Sequence, residues 1–207
     1  MAGRTRRGRR WVEEHERDPW VQRARKEGWR SRAVYKLEEL DGKESLFRRG
    51  MKVVDLGAAP GAWCQYAAGK VGERGTVVGL DILPMDSLAG VNMLQGDFTE
   101  DSVLADLVEA LEGRKVDLVL SDMAPNISGM AAVDQPRSMY LAELALAFAR
   151  DHLKPGGAFV TKVFQGEGFD QYVRDLRASF QQVVTRKPRA SRPRSREVYL
   201  VAGNYNV

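Results

Sequence analysis

The chain has 207 residues, 43% of them hydrophobic and 29% charged, enough for one compact domain with a full core. No stretch approaches the roughly 20 consecutive apolar residues of a membrane helix, and the basic opening MAGRTRRGRRW has no apolar run behind it, so neither a membrane span nor a secretory signal is expected. Cys64 is the only cysteine and His15 and His152 the only histidines, so no disulfide or metal is expected and a reducing, cytoplasmic setting is. The net charge of +4 conceals two basic segments flanking an acidic middle, which suggest an anionic polymer as partner.

Residues 1–17 read as a basic arm whose first ten positions are low in complexity and expected to be mobile; residues 18–207 read as one domain. Residues 1–32 hold 11 Lys/Arg against 5 Asp/Glu. Residues 18–40 (DPWVQRARKEGWRSRAVYKLEEL) predict two short helices broken at Gly28, the second presenting Val34, Leu37 and Leu40 at helical spacing. A strand follows at 52–56, then a helix at 62–70. Strands at 76–80 and 91–94 lead to Asp81 and Asp97. A helix at 101–111 precedes a strand at 116–121 that stops at Asp122. A long helix is expected over 137–153, ended by Lys154-Pro155-Gly156-Gly157, then a β-branched strand at 158–164 and a helix at 169–180. The chain closes with strands at 181–186 and 196–202, joined by an Arg-rich loop; residues 186–196 hold six basic residues and no acid.

Regular alternation of strand and helix predicts an α/β fold with a mostly parallel, doubly wound sheet. No helix separates the last two strands, so they should form a C-terminal antiparallel hairpin. That arrangement belongs to Rossmann-like methyltransferases rather than to a plain dinucleotide fold.

In such sheets a ligand sits beyond the carboxyl ends of the strands, where strand order reverses. The first strand ends Asp55-Leu-Gly-Ala-Ala-Pro-Gly61. Gly57 permits a tight turn, Pro60 stiffens it and Gly61 opens the next helix. Twenty positions on, Asp81 is placed to accept hydrogen bonds from both ribose hydroxyls of an adenosine, and Asp97 to meet the adenine amino group. A diphosphate wants a further glycine and free N–H groups here. This chain offers Ala59 and Pro60, with Asp55, Asp97 and Asp122 adding negative charge. The loop therefore suits a cationic sulfonium, and S-adenosylmethionine is the expected cofactor.

Asp122 ends the fourth strand within SDMAPN, beside that loop. Lys162 lies inside the apolar strand AFVTKVF, where a lone ammonium is costly, so it must be paired or serve chemistry. Glu197, after the Arg-rich loop, and Lys36, in an early helix, complete a candidate set of two lysines and two carboxylates. A lysine acting as a base must be neutral; burial and a neighbouring cation favour that form and the carboxylates oppose it. Lys162 is therefore read as a general base or as an orienting group for a hydroxyl.

These residues lie in SRAVYKL, VVDLGAAPGAW, the segment from Leu94 to Phe98, SDMAPNISG, MYLAELAL, PGGAFVTKVFQGEGFD and SRPRSREVYLVA. In these stretches the chain resembles the FtsJ-type, heat-shock-inducible ribose 2′-O-methyltransferases of large-subunit ribosomal RNA, over nearly its whole length past the first ten residues. The resemblance implies catalytic residues at Lys36, Asp122, Lys162 and Glu197. It implies cofactor contacts at Gly61, Trp63, Asp81, Asp97 and Asp122. It also implies a uridine of the A loop as target, with ribosomal RNA or a pre-ribosomal particle as partner. A monomer is expected. Ala62 departs from the family's usual second glycine. A transfer RNA or cap ribose methyltransferase, and a non-catalytic ribosome-assembly factor, are the competing readings; the intact set of four argues against the last.

Among the remaining residues, His152 reads as helix-end packing and Tyr199 as facing away from Val198 and Leu200. Trp11, Trp20 and Trp29 either stack on bases or anchor a helix. Arg189, Arg192 and Arg194 are expected to bind RNA phosphates.

Overall fold

The computed structural model describes residues 16–206; the basic segment 1–10, Trp11 and His15 lie outside them. Helix α1 (Pro19–Glu27) starts where Asp18 caps it, accepting from the Trp20 N–H at 2.9 Å, and stops at Gly28 in the left-handed conformation (φ 76°). Helix α2 (Val34–Glu44) follows, held by Val34, Leu37 and Leu40, each no more than 1% exposed. Trp20 and Trp29 pack into the same cluster, Trp20 in α1 with its ring 5.2 Å from that of Tyr35 and Trp29, just past α1, with its ring 6.2 Å from that of Tyr66. Then come β1 (Lys52–Leu56), α3 (Ala62–Val71), β2 (Thr76–Asp81), β3 (Val91–Gln95), α4 (Asp101–Ala110), β4 (Val116–Ser121), α5 (Ala131–His152), β5 (Leu153–Phe164), α6 (Phe169–Arg177), β6 (Phe180–Arg186) and β7 (Glu197–Tyr205).

The strands form one seven-stranded sheet in the order β3-β2-β1-β4-β5-β7-β6. The first five are parallel, and β7 runs antiparallel between β5 and β6, as the missing helix foretold. Val53, Val54, Leu118, Val119, Leu120, Phe159 and Val160 are fully buried because helices cover both faces of the central strands. Helices α4, α5 and α6 pack on one face with Leu107, Ala145 and Tyr172; α1, α2 and α3 pack on the other with Ala24, Leu37 and Trp63. No helix among the described residues is long and apolar enough to cross a membrane.

The chief departure from the sequence reading is α5, which begins at Ala131 rather than at 137 and carries Pro136 inside it. Ala132, whose carbonyl the proline leaves without an intrahelical donor, is exposed, so water can satisfy it. Asp134 secures the approach by accepting from the Ser128 and Gly129 N–H groups at 2.8 and 3.0 Å. The strand expected at 158–164 instead starts at Leu153, with an irregularity opposite Val116–Leu118 that absorbs Pro155 and two glycines. Helix α6 stops at Arg177, not 180, since Phe180 is buried as the first residue of β6. The closing strand runs to Tyr205 rather than 202.

Candidate active site

Strand order reverses between β1 and β4, and their carboxyl ends deliver Asp55 and Asp122 to the same place. Gly57 (φ 77°) is required there, because a Cβ would stand 2.8 Å from the Met123 backbone nitrogen. The turn that follows spends its own donors. Gly57 and Ala58 N–H donate to the Leu80 carbonyl at 2.9 and 3.1 Å, and Gly61 N–H to the Ala58 carbonyl at 2.6 Å. Ala59 N–H donates to Asp81 Oδ2 at 2.9 Å, while Pro60 has none to give. Asp81 also accepts from Leu83 N–H at 2.8 Å, so one carboxylate fixes both the cofactor-loop candidate and the turn after β2.

A cavity of about 610 Å³ opens over this loop, walled by Asp81, Asp97 and Asp122 together with Ile82, Leu83 and Tyr140. Asp97 accepts from the Thr99 backbone N–H and hydroxyl, which hold its carboxyl below the usual carboxylate range. Gly61 and Trp63 do not line it. Gly61 caps α3, and the Trp63 indole is buried behind the loop, donating to the Ala33 carbonyl at 2.8 Å.

A second cavity, about 580 Å³, is lined by Lys36 and Glu197, by Ser31, Arg32, Gln135, Ile127 and Phe164, and by Arg192, Arg194 and Arg196. A chain of polar groups joins the two. Lys36 Nζ donates to Glu197 Oε1 at 2.7 Å and to the Tyr199 hydroxyl at 3.2 Å. That hydroxyl donates to Asp122 Oδ1 at 2.7 Å. Lys162 Nζ completes the set, donating to the Asp122 carbonyl at 2.6 Å and standing 3.1 Å from Asp122 Oδ1. The four charged residues singled out in the sequence therefore form one connected group, with both lysines paired as burial demands.

Burial alone would raise Asp122, but the Lys162 and Lys36 cations outweigh it and hold the carboxyl below its usual range. Tyr199 is fully buried and pushed well above the usual tyrosine value, first by burial and then by Asp122, so it remains a donor. Its connecting place was not legible; only its facing away from Val198 and Leu200 was. Gln135 and Ile127 also escaped notice, because residues ahead of Pro136 carried no helical signal.

The Arg-rich connection between β6 and β7 folds back on α2. Arg186 Nε pairs with Glu44 at 2.6 Å, Arg189 N–H donates to Glu39 at 2.8 Å, and Arg32 bridges the Asp18 carboxylate and the Ala190 carbonyl. Arg192, Arg194 and Arg196 are left exposed at the second cavity, whereas Arg189 is not among its lining residues.

A carboxylate-walled cavity at the switch point of a parallel sheet, joined to a lysine–carboxylate network, defines a Rossmann-like methyltransferase. Residues 29–205 match the model of the FtsJ-like methyltransferases, and the chain belongs to that family. It is 63% identical to ribosomal RNA large subunit methyltransferase E of Alkalilimnicola ehrlichii across the full length of both chains. To the protein of the same name from Chromohalobacter salexigens it is also 63% identical, over 95% of this chain and 93% of that one. A solved ribosomal RNA methyltransferase of Plasmodium falciparum superposes with a TM-score of 0.77 at 32% identity, over 86% of this chain and 98% of that one.

Proposed function

We propose that the protein transfers a methyl group from S-adenosylmethionine to a ribose 2′-hydroxyl of large-subunit ribosomal RNA, at a uridine of the A loop. The observation that carries the cofactor is the spent donor set of the Gly57–Gly61 turn. With no free N–H there, the loop has little to offer a diphosphate, while Asp81, Asp97 and Asp122 suit a nucleoside bearing a cation. Asp81 would take the ribose hydroxyls and Asp97 the adenine edge, with Gly61 and Trp63 supporting the loop from behind. When bound, S-adenosylmethionine supplies an electrophilic methyl on positively charged sulfur. The large-subunit target is inferred from relatives of that name and the basic rim of the second cavity.

The chain's own residues then act on the nucleophile. Lys36 and Glu197, on the second cavity, orient the ribose. Lys162 faces the hydroxyl and either takes its proton or fixes its lone pair toward the methyl. Asp122, held by Tyr199 and Lys162, keeps that lysine in place and complements the cation. Most of the acceleration comes from alignment, worth up to roughly 7–11 kcal/mol in well-oriented systems.

Lys162→Ala is expected to lose at least about a hundredfold in kcat while retaining cofactor affinity, since the side chain acts on the hydroxyl. Lys162→Arg should fail likewise, because a guanidinium keeps its protons and its planar fork does not match this pocket. Single-turnover methylation combined with cofactor calorimetry checks both. Near-normal turnover by either variant would refute the role given to Lys162.

A further inference from the structure

Arg30 lies in the connection between α1 and α2, lines neither cavity, and has no part in the chemistry above. Its guanidinium nevertheless reaches three backbone carbonyls on two separate loops. Nη1 donates to Pro60 O at 3.2 Å and to Asp86 O at 2.8 Å, and Nη2 donates to Ser87 O at 2.7 Å. The backbone beside it is fixed as well. Arg30 N–H donates to Gln65 Oε1 at 3.1 Å, and Gln65 Nε2 donates back to Gly28 O at 3.0 Å, so the connection is tied to α3. The guanidinium lies directly over the cofactor-loop candidate: a Cβ on Gly61 would stand 2.8 Å from Nη1.

The two loops it joins both contribute to the wall of one cavity. Pro60 belongs to the turn after β1. Asp86 and Ser87 belong to the segment after β2, which presents Ile82 and Leu83 to the 610 Å³ cavity, both about 60% exposed. Residues 82–88 form neither helix nor strand. Their other polar ties are few: Leu83 N–H to Asp81, Gln95 Nε2 to Ile82 O at 3.3 Å, and the turn from Leu88 O to Val91 N–H. Apart from Met85 and Leu88, which pack against the core cluster, such a segment has few ties of its own to set its distance from the turn after β1. Arg30 supplies that distance, and a fork of rigidly spaced N–H groups suits the task where a single ammonium does not.

We propose that Arg30 is a positioning residue for the cofactor: it pins residues 82–87 to the Gly57–Gly61 turn and so keeps the cavity at a width that closes on a nucleoside. The inference rests on the cofactor reading above. Because Ser31, Arg32 and Ala33 come next in the chain and line the second cavity, the same side chain fastens the substrate-facing arm to the cofactor-facing loops.

The test is calorimetry of S-adenosylmethionine on the full chain without RNA, for the parent, Arg30→Ala and Arg30→Lys. It is paired with RNA affinity measured without cofactor. Arg30→Ala should weaken cofactor binding about tenfold, the scale of losing charged hydrogen bonds. Arg30→Lys should recover only part of it, and backbone amides in residues 82–88 should exchange hydrogen faster in both variants. RNA affinity should stay within about twofold of the parent. Unchanged cofactor affinity together with weakened RNA binding would overturn the proposal and make Arg30 a phosphate ligand. Full recovery by lysine would also overturn it, since charge rather than the fork would then suffice. Should the alanine variant not fold, the lysine comparison decides alone. A parent protein that binds no S-adenosylmethionine overturns the cofactor reading itself.

Discussion

Asp55 and Asp122 end neighbouring strands, yet their surroundings drive them in opposite directions. Asp55 is fully buried; burial first, then the Asp122 and Asp81 carboxylates, push it up to about 7, against the opposing hydrogen bond from the Cys64 thiol at 3.2 Å. Its Oδ1 has no hydrogen-bond partner among the described residues. Asp122 is half-buried and held low by the two lysines. The consequences for stability follow from linkage. An unfolded aspartate releases its proton near about pH 4, whereas folded Asp55 keeps it to about 7. Over that window the folded state binds more protons, so this group's contribution falls as pH rises and levels off above it. Asp122 works the other way, stabilising above the unfolded value and losing that contribution as pH falls through its lowered one. Asp55→Asn is therefore expected to gain stability relative to the parent progressively from about pH 4 to 7, then to hold a constant margin. Urea unfolding at a series of pH values checks this; a margin independent of pH would contradict it. Residue types at or just past strand ends were enough to single out Asp55, Asp81, Asp97 and Asp122, and an ammonium inside an apolar strand singled out Lys162. Tyr199 and Arg30 were not legible in the same way, because their roles depend on partners 77 and 56 positions away in sequence.

At the scale of elements, the connection between β6 and β7 is a folded rim. Ala190 and Ser191 are buried in it, and α2 grips it through Glu39 and Glu44. This leaves Arg192, Arg194 and Arg196 as the exposed cations at the second cavity. Phosphates bound there would displace counterions, with a log–log salt slope of roughly −0.7 to −0.9 per phosphate. Neutralising all three arginines should weaken RNA binding and flatten the slope by about 2–3 units, leaving cofactor affinity intact. A salt titration of parent and triple variant measures this; identical slopes would remove the rim from the RNA interface. The sequence reading named Arg189 with Arg192 and Arg194; Arg189 is exposed as well but lies off the cavity, where Arg196 lines the rim instead, a placement composition alone cannot give. The start of α5 was hidden for a similar reason. Pro136 reads as a helix boundary unless the tertiary fold leaves its orphaned carbonyl in water.

At the scale of the whole molecule, the apolar runs of β1, β4 and β5 and their alternation with helices determined the doubly wound sheet, and the missing helix before β7 determined its antiparallel edge. The sequence could not reveal that the strand-order reversal serves two cavities, bridged by the hydrogen bonds from Glu197 through Lys36 and Tyr199 to Asp122. Those contacts join residues from α2, β7 and the end of β4 that only the closed sheet brings together. Such a bridge suits a reaction in which a small donor and a large polymer meet at one point. The most direct measurement of that reaction is identification of the modified nucleoside. Large-subunit ribosomal RNA lacking the modification is incubated with S-adenosylmethionine and the protein, digested, and analysed by mass spectrometry and ribose-methylation mapping. The expected product is a single 2′-O-methyluridine in the A loop, formed by the parent and absent with Lys162→Ala. A methyl group on a base, or equal 2′-O-methylation by the variant, would contradict the account.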